Sequence, residues 1–331
     1  MKPIQLAKTN LHCPQLGFGC ASMMGRSGRT QSLRALGAAW DGGIRFFDTA
    51  RSYGYGESEL LLGQFLRGRR DQAIVATKFG ILASPQPAWK KIARAAARGV
   101  LKAAPFTHRA LQQRAASQFT HHQFSIPVLQ KSIEQSLRAL AMDHIDILFL
   151  HAAPATVLQQ DDLLDAMQRL VDAGKVGFAG LSGDPETVQL ALQQRTPHLH
   201  AMQFPCNVFD VSAAANFARF TDGSSVLVAN HPYGGAARIR LCRQIIADLS
   251  SRHGLDASLR EKIQSLDNDI MADIVLNVIL RNTGIHVVIP AMMNPKHIHA
   301  NIRAVTASRF TSAEIHSIRS ALAENPHQNR S

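Results

Sequence analysis

The stretch RFFDTARSYGYGESE, Arg45 to Glu59, ends an apolar run in a carboxylate, Asp48, and follows it with two tyrosines, Tyr53 and Tyr55, in a glycine-broken turn. Two further titratable residues close apolar runs in the same manner: Lys78 ends AIVATK and His151 ends IDILFLH. A carboxylate, a phenol, an amine and an imidazole are the side chains that hold and pass protons. Each has a plain explanation taken singly. Asp48 could cap the following turn, Tyr53 could sit on a rim, Lys78 could be a solvated strand end and His151 a packed, satisfied residue.

What changes that balance is the set of elements that must carry them, which the apolar pattern predicts without reference to these residues. Short β-branched or apolar runs at Leu16–Cys20, Ile44–Asp48, Ala73–Thr77, Ile145–Leu150, Val176–Leu181, Ala201–Pro205, Ser225–Ala229 and Ile285–Ile289 read as strands. Helical patterns fall between and after them at Thr30–Trp40, Ser58–Leu66, Pro127–Ala141, Asp161–Asp172, Asp184–Gln194, Ser212–Phe220, Leu266–Arg281 and Asn294–Ala304. Strand alternating with helix argues for a parallel sheet, and eight such units in 331 residues match a (β/α)8 TIM barrel with an extended loop after strand three. Barrel enzymes assemble their sites at the C-terminal ends of the strands. Asp48, Lys78 and His151 stand at those ends of strands two, three and four, with Tyr53 on the loop after strand two. A Gly-x-Gly at Gly17–Gly19 could instead open a dinucleotide-binding βαβ unit, but no third glycine follows in register, and Gly25 and Gly28 interrupt the helix required there.

Composition narrows the class. With 46% hydrophobic and 18% charged residues the chain can bury a large core, and it is read as a single barrel domain over residues 1–331. Its longest apolar runs fall far short of the ~20 residues that span a bilayer. The first residues carry no signal-peptide apolar block, so no membrane span and a cytoplasmic location are expected. Cys13, Cys20, Cys206 and Cys242 are scattered without CxxC spacing, which suggests reduced, packed thiols and no metal site. The net charge of +12 has a local origin: Gln72 to Ile133 holds nine Lys or Arg residues and no acid. No nucleic-acid motif accompanies it, and aromatics at 6% leave little for base stacking, so no nucleic-acid partner is expected. The segment from Ile81 to Ser125 reads as a long basic βα-loop insertion. Lys90, Arg94, Arg98 and Lys102 recur every four residues, a slowly drifting stripe if the segment is helical, suited to a lid, an acidic-substrate funnel or a solvated covering helix.

The blocks GGIRFFDTARSYGYGESELLLGQFL, IVATKFG, SLRALAMDHIDILFLHAA, GKVGFAGLSG, AMQFPCNVFD and GIHVVIPAMMNPKHIHANIRAV, in that order from Leu16 to about Val305, resemble those of the aldo-keto reductases. The resemblance implies an NAD(P)H-dependent oxidoreductase that reduces an aldehyde or ketone to an alcohol. It also implies a catalytic group of Asp48, Tyr53, Lys78 and His151. Hydride delivery to a carbonyl carbon leaves an oxygen that needs a proton, and Tyr53 would supply it. A free phenol titrates near ~10, so the Lys78 cation is expected to lower the Tyr53 value, Asp48 to keep Lys78 charged, and His151 to donate to the substrate oxygen. Tyr55, between Gly54 and Gly56, is read as a rim residue. A cofactor-binding regulatory or sensor barrel with little turnover is the alternative reading.

The same resemblance assigns Gly19, Asp48, Ser182, Gln203, Asn230, Asn294, His297 and Asn301 to the cofactor, with NADPH expected and NADH possible. Ser182 and Gln203 match positions that hold the nicotinamide carboxamide, while Gly183 replaces a frequent asparagine. Asn230 stands where a ring-stacking aromatic is common, the nearest being Tyr233. Asn301 matches an adenine contact. Around the expected 2'-phosphate the chain has Ala291, Met292 and Met293, with His297 at a common arginine position and Lys296 and Arg303 as further positive charges. A histidine with an ordinary value of ~6.5 is mostly neutral at neutral pH, so a modest NADPH preference is expected that strengthens as the pH falls to about 6, where the 2'-phosphate itself begins to gain a proton. A small-molecule carbonyl is the expected partner; neither the substrate nor the oligomeric state is legible.

Overall fold

A computed structural model of the chain describes residues 1–83, 119–264, 266–281 and 283–324. Eight strands pair in parallel and in order: β3 (Gly17–Gly19), β4 (Phe46–Asp48), β5 (Ile74–Phe79), β8 (Ile145–His151), β9 (Val176–Ser182), β10 (Ala201–Pro205), β11 (Val226–Asn230) and β12 (Val287–Ile289). The ends of this sheet meet through a parallel bridge from Leu16 to Val288, with the Val288 amide donating to the Gln15 carbonyl at 2.8 Å. The sheet is thus a barrel, nearly closed, as the alternation of runs implied. A short antiparallel hairpin, β1 (Ile4–Gln5) with β2 (His12–Cys13), precedes it, and a second antiparallel pair, β6 (Leu82–Ala83) with β7 (Phe119–Thr120), follows β5. The expected basic insertion falls largely on residues 84–118, outside the described residues.

Side chains on a strand alternate between faces, and in the barrel this parity separates two cores. Phe46, Ile74, Ala76, Ile147, Phe149, Ala201, Val226, Val228, Val287 and Ile289 pack together inside it, joined by Leu6 and Cys13 of the first hairpin at the strands' N-terminal ends. Their sequence neighbours, among them Phe47, Val75, Leu148, Met202 and Leu227, belong to the cluster beneath the helices. Close packing inside needs a residue without a side chain at Gly180, where a Cβ would lie 2.8 Å from the Phe149 ring and 2.4 Å from the Ala201 carbonyl oxygen.

Among the described residues the α-helices are α1 (Arg29–Asp41), α2 (Ser58–Leu66), α3 (Ile126–Leu140), α4 (Asp161–Asp172), α5 (Pro185–Gln194), α6 (Val211–Phe220), α7 (Ala236–Ser250), α8 (Ala257–Ile263), α9 (Asn268–Leu280), α10 (Pro295–Thr306) and α11 (Ser312–Ala323). The simple alternation fails after β11, where α7 and α8 intervene before α9. Both the α7 and α11 patterns carried a signal. In α7, Cys242, Ile245, Ile246 and Leu249 form a buried stripe at helical spacing, interrupted in sequence by exposed or half-buried arginines. In α11 the Thr311 hydroxyl accepts from the Glu314 amide while the Glu314 carboxylate accepts from the Thr311 amide, the reciprocal cap written in sequence as TSAE.

Candidate active site

The parity that packs the interior also aims the titratable residues. Asp48, Lys78, His151, Ser182, Gln203 and Asn230 share the inward face of their strands and occupy its C-terminal end, one step beyond or level with the last apolar layer. Lys78 is 1% exposed. Its ammonium donates to Asp48 Oδ1 at 2.6 Å and to the Thr49 carbonyl at 2.9 Å. The chain then leaves β4 through a tight turn in which Gly54 and Tyr55 both adopt left-handed backbone angles, φ 57° and 59°. At Gly54 a Cβ would approach the Met23 carbonyl oxygen to 2.5 Å, so the turn packs directly on the loop after β3. This turn brings the Tyr53 ring to 4.9 Å from the Lys78 ammonium and sets it edge-on to His151, with centroids 5.8 Å apart.

Burial and charge set the protonation states. Burial works against the Lys78 charge, but Asp48 and Tyr53, by charge and hydrogen bond, hold its pKa above that of an ordinary lysine, so it is a cation. The expected net lowering of the Tyr53 phenol does not occur. Burial pushes it up, the Lys78 charge and hydrogen bond pull it back only partly, and Asp48 adds to the rise, leaving it above the ordinary tyrosine value. His151 is driven down to about 3, chiefly by burial and then by the Lys78 and His121 charges, so its imidazole is neutral. Its Nδ1 is buried and has no hydrogen-bond partner among the described residues.

The residues expected at the cofactor lie at four places. Gly19 ends β3, its amide facing the Pro290 carbonyl at 3.4 Å. Ser182 and Gln203 are joined: the serine hydroxyl donates to Gln203 Oε1 at 2.8 Å, and Gln203 Nε2 donates to Asp48 Oδ1 at 2.9 Å. Asn230 ends β11 with its Oδ1 buried and unpartnered among the described residues. At the start of α10 the Asn294 side chain caps the helix, accepting from the Lys296 amide at 3.0 Å, and Lys296 and His297 are exposed on its first turn. Asn301 is 2% exposed with its amide spent: Oδ1 accepts the Tyr233 hydroxyl and Nδ2 donates to Met292 Sδ. Arg303 is paired with the carboxylate of Asp269. Its expected charge toward a phosphate is therefore already matched within the protein.

A family model described as "Aldo/keto reductase family" matches residues 15–323, nearly the whole chain. The chain belongs to the aldo/keto reductase family. Among curated relatives it is 27% identical to "Aldo-keto reductase YhdN" of Bacillus subtilis over 216 residues, 63% of this chain and 55% of that protein. It is 35% identical to a D-threo-aldose 1-dehydrogenase of a Pseudomonas species over 162 residues, 44% of this chain and 42% of that one. The matched stretches thus span about half or less of these relatives. Solved structures align over more of their length. That of an aldo-keto reductase from Bacillus halodurans in its holo form has a TM-score of 0.68, 21% identity and 97% and 96% coverage of this chain and that one. That of an aldo-keto reductase from Klebsiella pneumoniae in complex with NADPH has 0.66, 22%, 99% and 98%. At these identities the structural likeness is one of fold.

In this aldo/keto reductase the features that the sequence did not announce are connections. The Gln203–Asp48 contact joins residues 155 apart, and the only sequence hint of it is parity: both sit on inward positions at strand ends. The Tyr233–Asn301 bond spans 68 residues and carried no hint. Among the described residues no helix is long and apolar enough to cross a membrane, and no group of three His, Cys, Asp or Glu residues is arranged to hold a metal ion.

Proposed function

We propose that this chain is an NADPH-dependent reductase of a small aldehyde or ketone in which Tyr53 gives the proton. One observation carries the reading. A fully buried lysine is kept charged by Asp48 Oδ1 and the Thr49 carbonyl, and its ammonium lies 4.9 Å from the centroid of the Tyr53 ring. Burying a cation is costly, and a surrounding that holds it charged beside a phenol suits a proton donor whose conjugate base needs stabilising. The family membership and the NADPH held by the Klebsiella pneumoniae relative support the same chemistry.

The cofactor fits the unspent polar atoms at this end of the barrel. Asn230 Oδ1 is buried without a partner among the described residues, and the amide and hydroxyl of Gln203 and Ser182 retain capacity beyond the bonds they make to each other and to Asp48. These residues would hold the nicotinamide end, and the capped start of α10, with Lys296 and His297, would meet a phosphate. Bound there, the cofactor would supply the hydride. Tyr53, its phenol protonated throughout the neutral range because its pKa stands above the ordinary value, protonates the carbonyl oxygen, and the Lys78 charge stabilises the tyrosinate left behind. Neutral His151 directs an N–H at that oxygen and fixes its approach, the tautomer with hydrogen on Nε2 leaving Nδ1 as an acceptor.

The test is Tyr53→Phe with a panel of aldehydes and NADPH. Loss of the positioned acid is expected to lower kcat by about 10²–10⁴-fold while the NADPH dissociation constant stays within about twofold. Near-native turnover in that variant would remove Tyr53 from the role. Tight NADPH binding with no turnover in the native protein on any aldehyde would favour the sensor barrel.

A further inference from the structure

Outside the pocket, Glu59 is a carboxylate with 0% exposure. A charge at that depth must be matched by donors, and Glu59 is. Its Oε1 accepts from the Thr77 hydroxyl at 2.7 Å and the Ser136 hydroxyl at 2.7 Å, while Oε2 takes Arg51 Nη1 at 3.1 Å. The other fork of Arg51 donates to Gln135 Oε1 at 2.6 Å. Four segments therefore meet at one buried carboxylate: the turn after β4 through Arg51, α2 through Glu59 itself, β5 through Thr77, and α3 through Gln135 and Ser136.

The sequence neighbours of these residues give the cluster its significance. Arg51 lies two residues before Tyr53, and Thr77 immediately precedes Lys78. Alternation along β5 turns Lys78 to the inside of the barrel and Thr77 to the outside. The turn that carries Tyr53 is accordingly tied to β5 on both faces. Inside, Lys78 holds Asp48 Oδ1 and the Thr49 carbonyl; outside, Arg51 reaches Thr77 through Glu59. On its third side the turn rests on the Met23 carbonyl at Gly54, and just past it the Ser58 hydroxyl donates to the Cys20 carbonyl at 3.3 Å. An ion pair with a buried carboxylate and a half-buried guanidinium is a poor source of stability, because desolvation offsets much of the attraction, but it is directional where apolar packing is not.

We propose that Arg51 and Glu59 are positioning residues for Tyr53: their bridge, buried at the Glu59 end and half-buried at Arg51, fixes the height of the turn over the Lys78 ammonium and so governs turnover rather than the affinity for substrate or cofactor. This rests on the reductase reading given above. The native chain is compared with Arg51→Met, Glu59→Gln and Arg51→Lys by two measurements, amide hydrogen exchange and steady-state reduction of 4-nitrobenzaldehyde with NADPH. In Arg51→Met and Glu59→Gln, exchange over Thr49–Glu57 is expected to rise by about tenfold while β8 and β9 stay protected. In the same variants kcat is expected to fall by about 100-fold, with KM and the NADPH dissociation constant within about threefold. Arg51→Lys keeps the charge but not the fork, folds with the least disturbance, and should recover part of the loss.

Unchanged exchange over Thr49–Glu57 in all three variants would overturn the proposal. So would a rise shared equally by α2 and α3 with kcat within about twofold of native, which is the mark of ordinary packing. Should the native chain reduce no carbonyl at all, the reductase reading falls, and exchange alone decides whether the bridge holds the turn.

Discussion

Gln203 and Asp48, 155 residues apart, share one hydrogen bond of 2.9 Å, and it ends on the same carboxylate oxygen that Lys78 holds at 2.6 Å. Since the Ser182 hydroxyl donates in turn to Gln203, the side chains expected to grip a nicotinamide are wired to the pair that keeps the lysine charged. Gln203→Leu strips one donor from Asp48 and leaves the Ser182 hydroxyl without its acceptor. A cost of about 1–3 kcal/mol is expected, read from urea unfolding of the cofactor-free protein. Because the two residues touch, Gln203→Leu combined with Asp48→Asn should depart from additivity by about 0.5–3 kcal/mol, and strict additivity would deny the contact.

His151 gives a stability effect with a definite sign. Its folded pKa is about 3 against an ordinary 6.5, so the folded protein resists protonating it while the unfolded chain does not. The stability tied to the neutral ring is complete above pH 6.5 and drains away as the pH falls from there toward 3. His151→Gln has no such group to titrate. The thermal midpoint of the native protein should therefore fall more steeply between pH 7 and about pH 4.5 than that of His151→Gln, and parallel curves would mean that the ring takes up its proton as readily in the fold as in the unfolded chain.

The start of α10 should discriminate between the two nicotinamide cofactors without help from Arg303, whose charge is matched by Asp269. Removing Lys296 and His297 together is expected to weaken NADPH binding by about tenfold and to leave NADH binding nearly unchanged. Arg303→Ala should alter NADPH affinity by less than about twofold. Calorimetry at constant salt measures all three. A loss in Arg303→Ala as large as in the double variant would place the phosphate nearer to Arg303 than its ion pair implies.

All four cysteines are free and buried, and burial pushes the Cys13, Cys206 and Cys242 thiols up to about 12 and the Cys20 thiol higher still. Only the thiolate reacts with a disulfide reagent. The native protein at pH 8 should therefore release almost no thionitrobenzoate, and the same sample in guanidinium should release four equivalents. Rapid reaction of one thiol in the native state would show that its surroundings open.

The arrangement of apolar runs determined the barrel, and with it the end at which Asp48, Lys78 and His151 would gather. Both follow from local physics: a run long enough for a strand has a period of two, and one residue fixed as inward fixes every other one. Thus Ile74, Ala76 and Lys78 had to share a face, as did Ile147, Phe149 and His151. Regularity misled where a pattern was interrupted, at α7 by its arginines and at the first hairpin by strands of two residues each. The net effect of Lys78 on Tyr53 was not legible either, since it is a contest between desolvation and charge, and desolvation depends on everything packed around the ring. Nor were the contacts of Gln203 with Asp48, Tyr233 with Asn301 or Arg303 with Asp269, because a hydrogen bond requires placement within a few tenths of an ångström between segments that only the closed barrel brings together. Sequence pattern chose the face each side chain would occupy; the packing of the whole chain chose its partner.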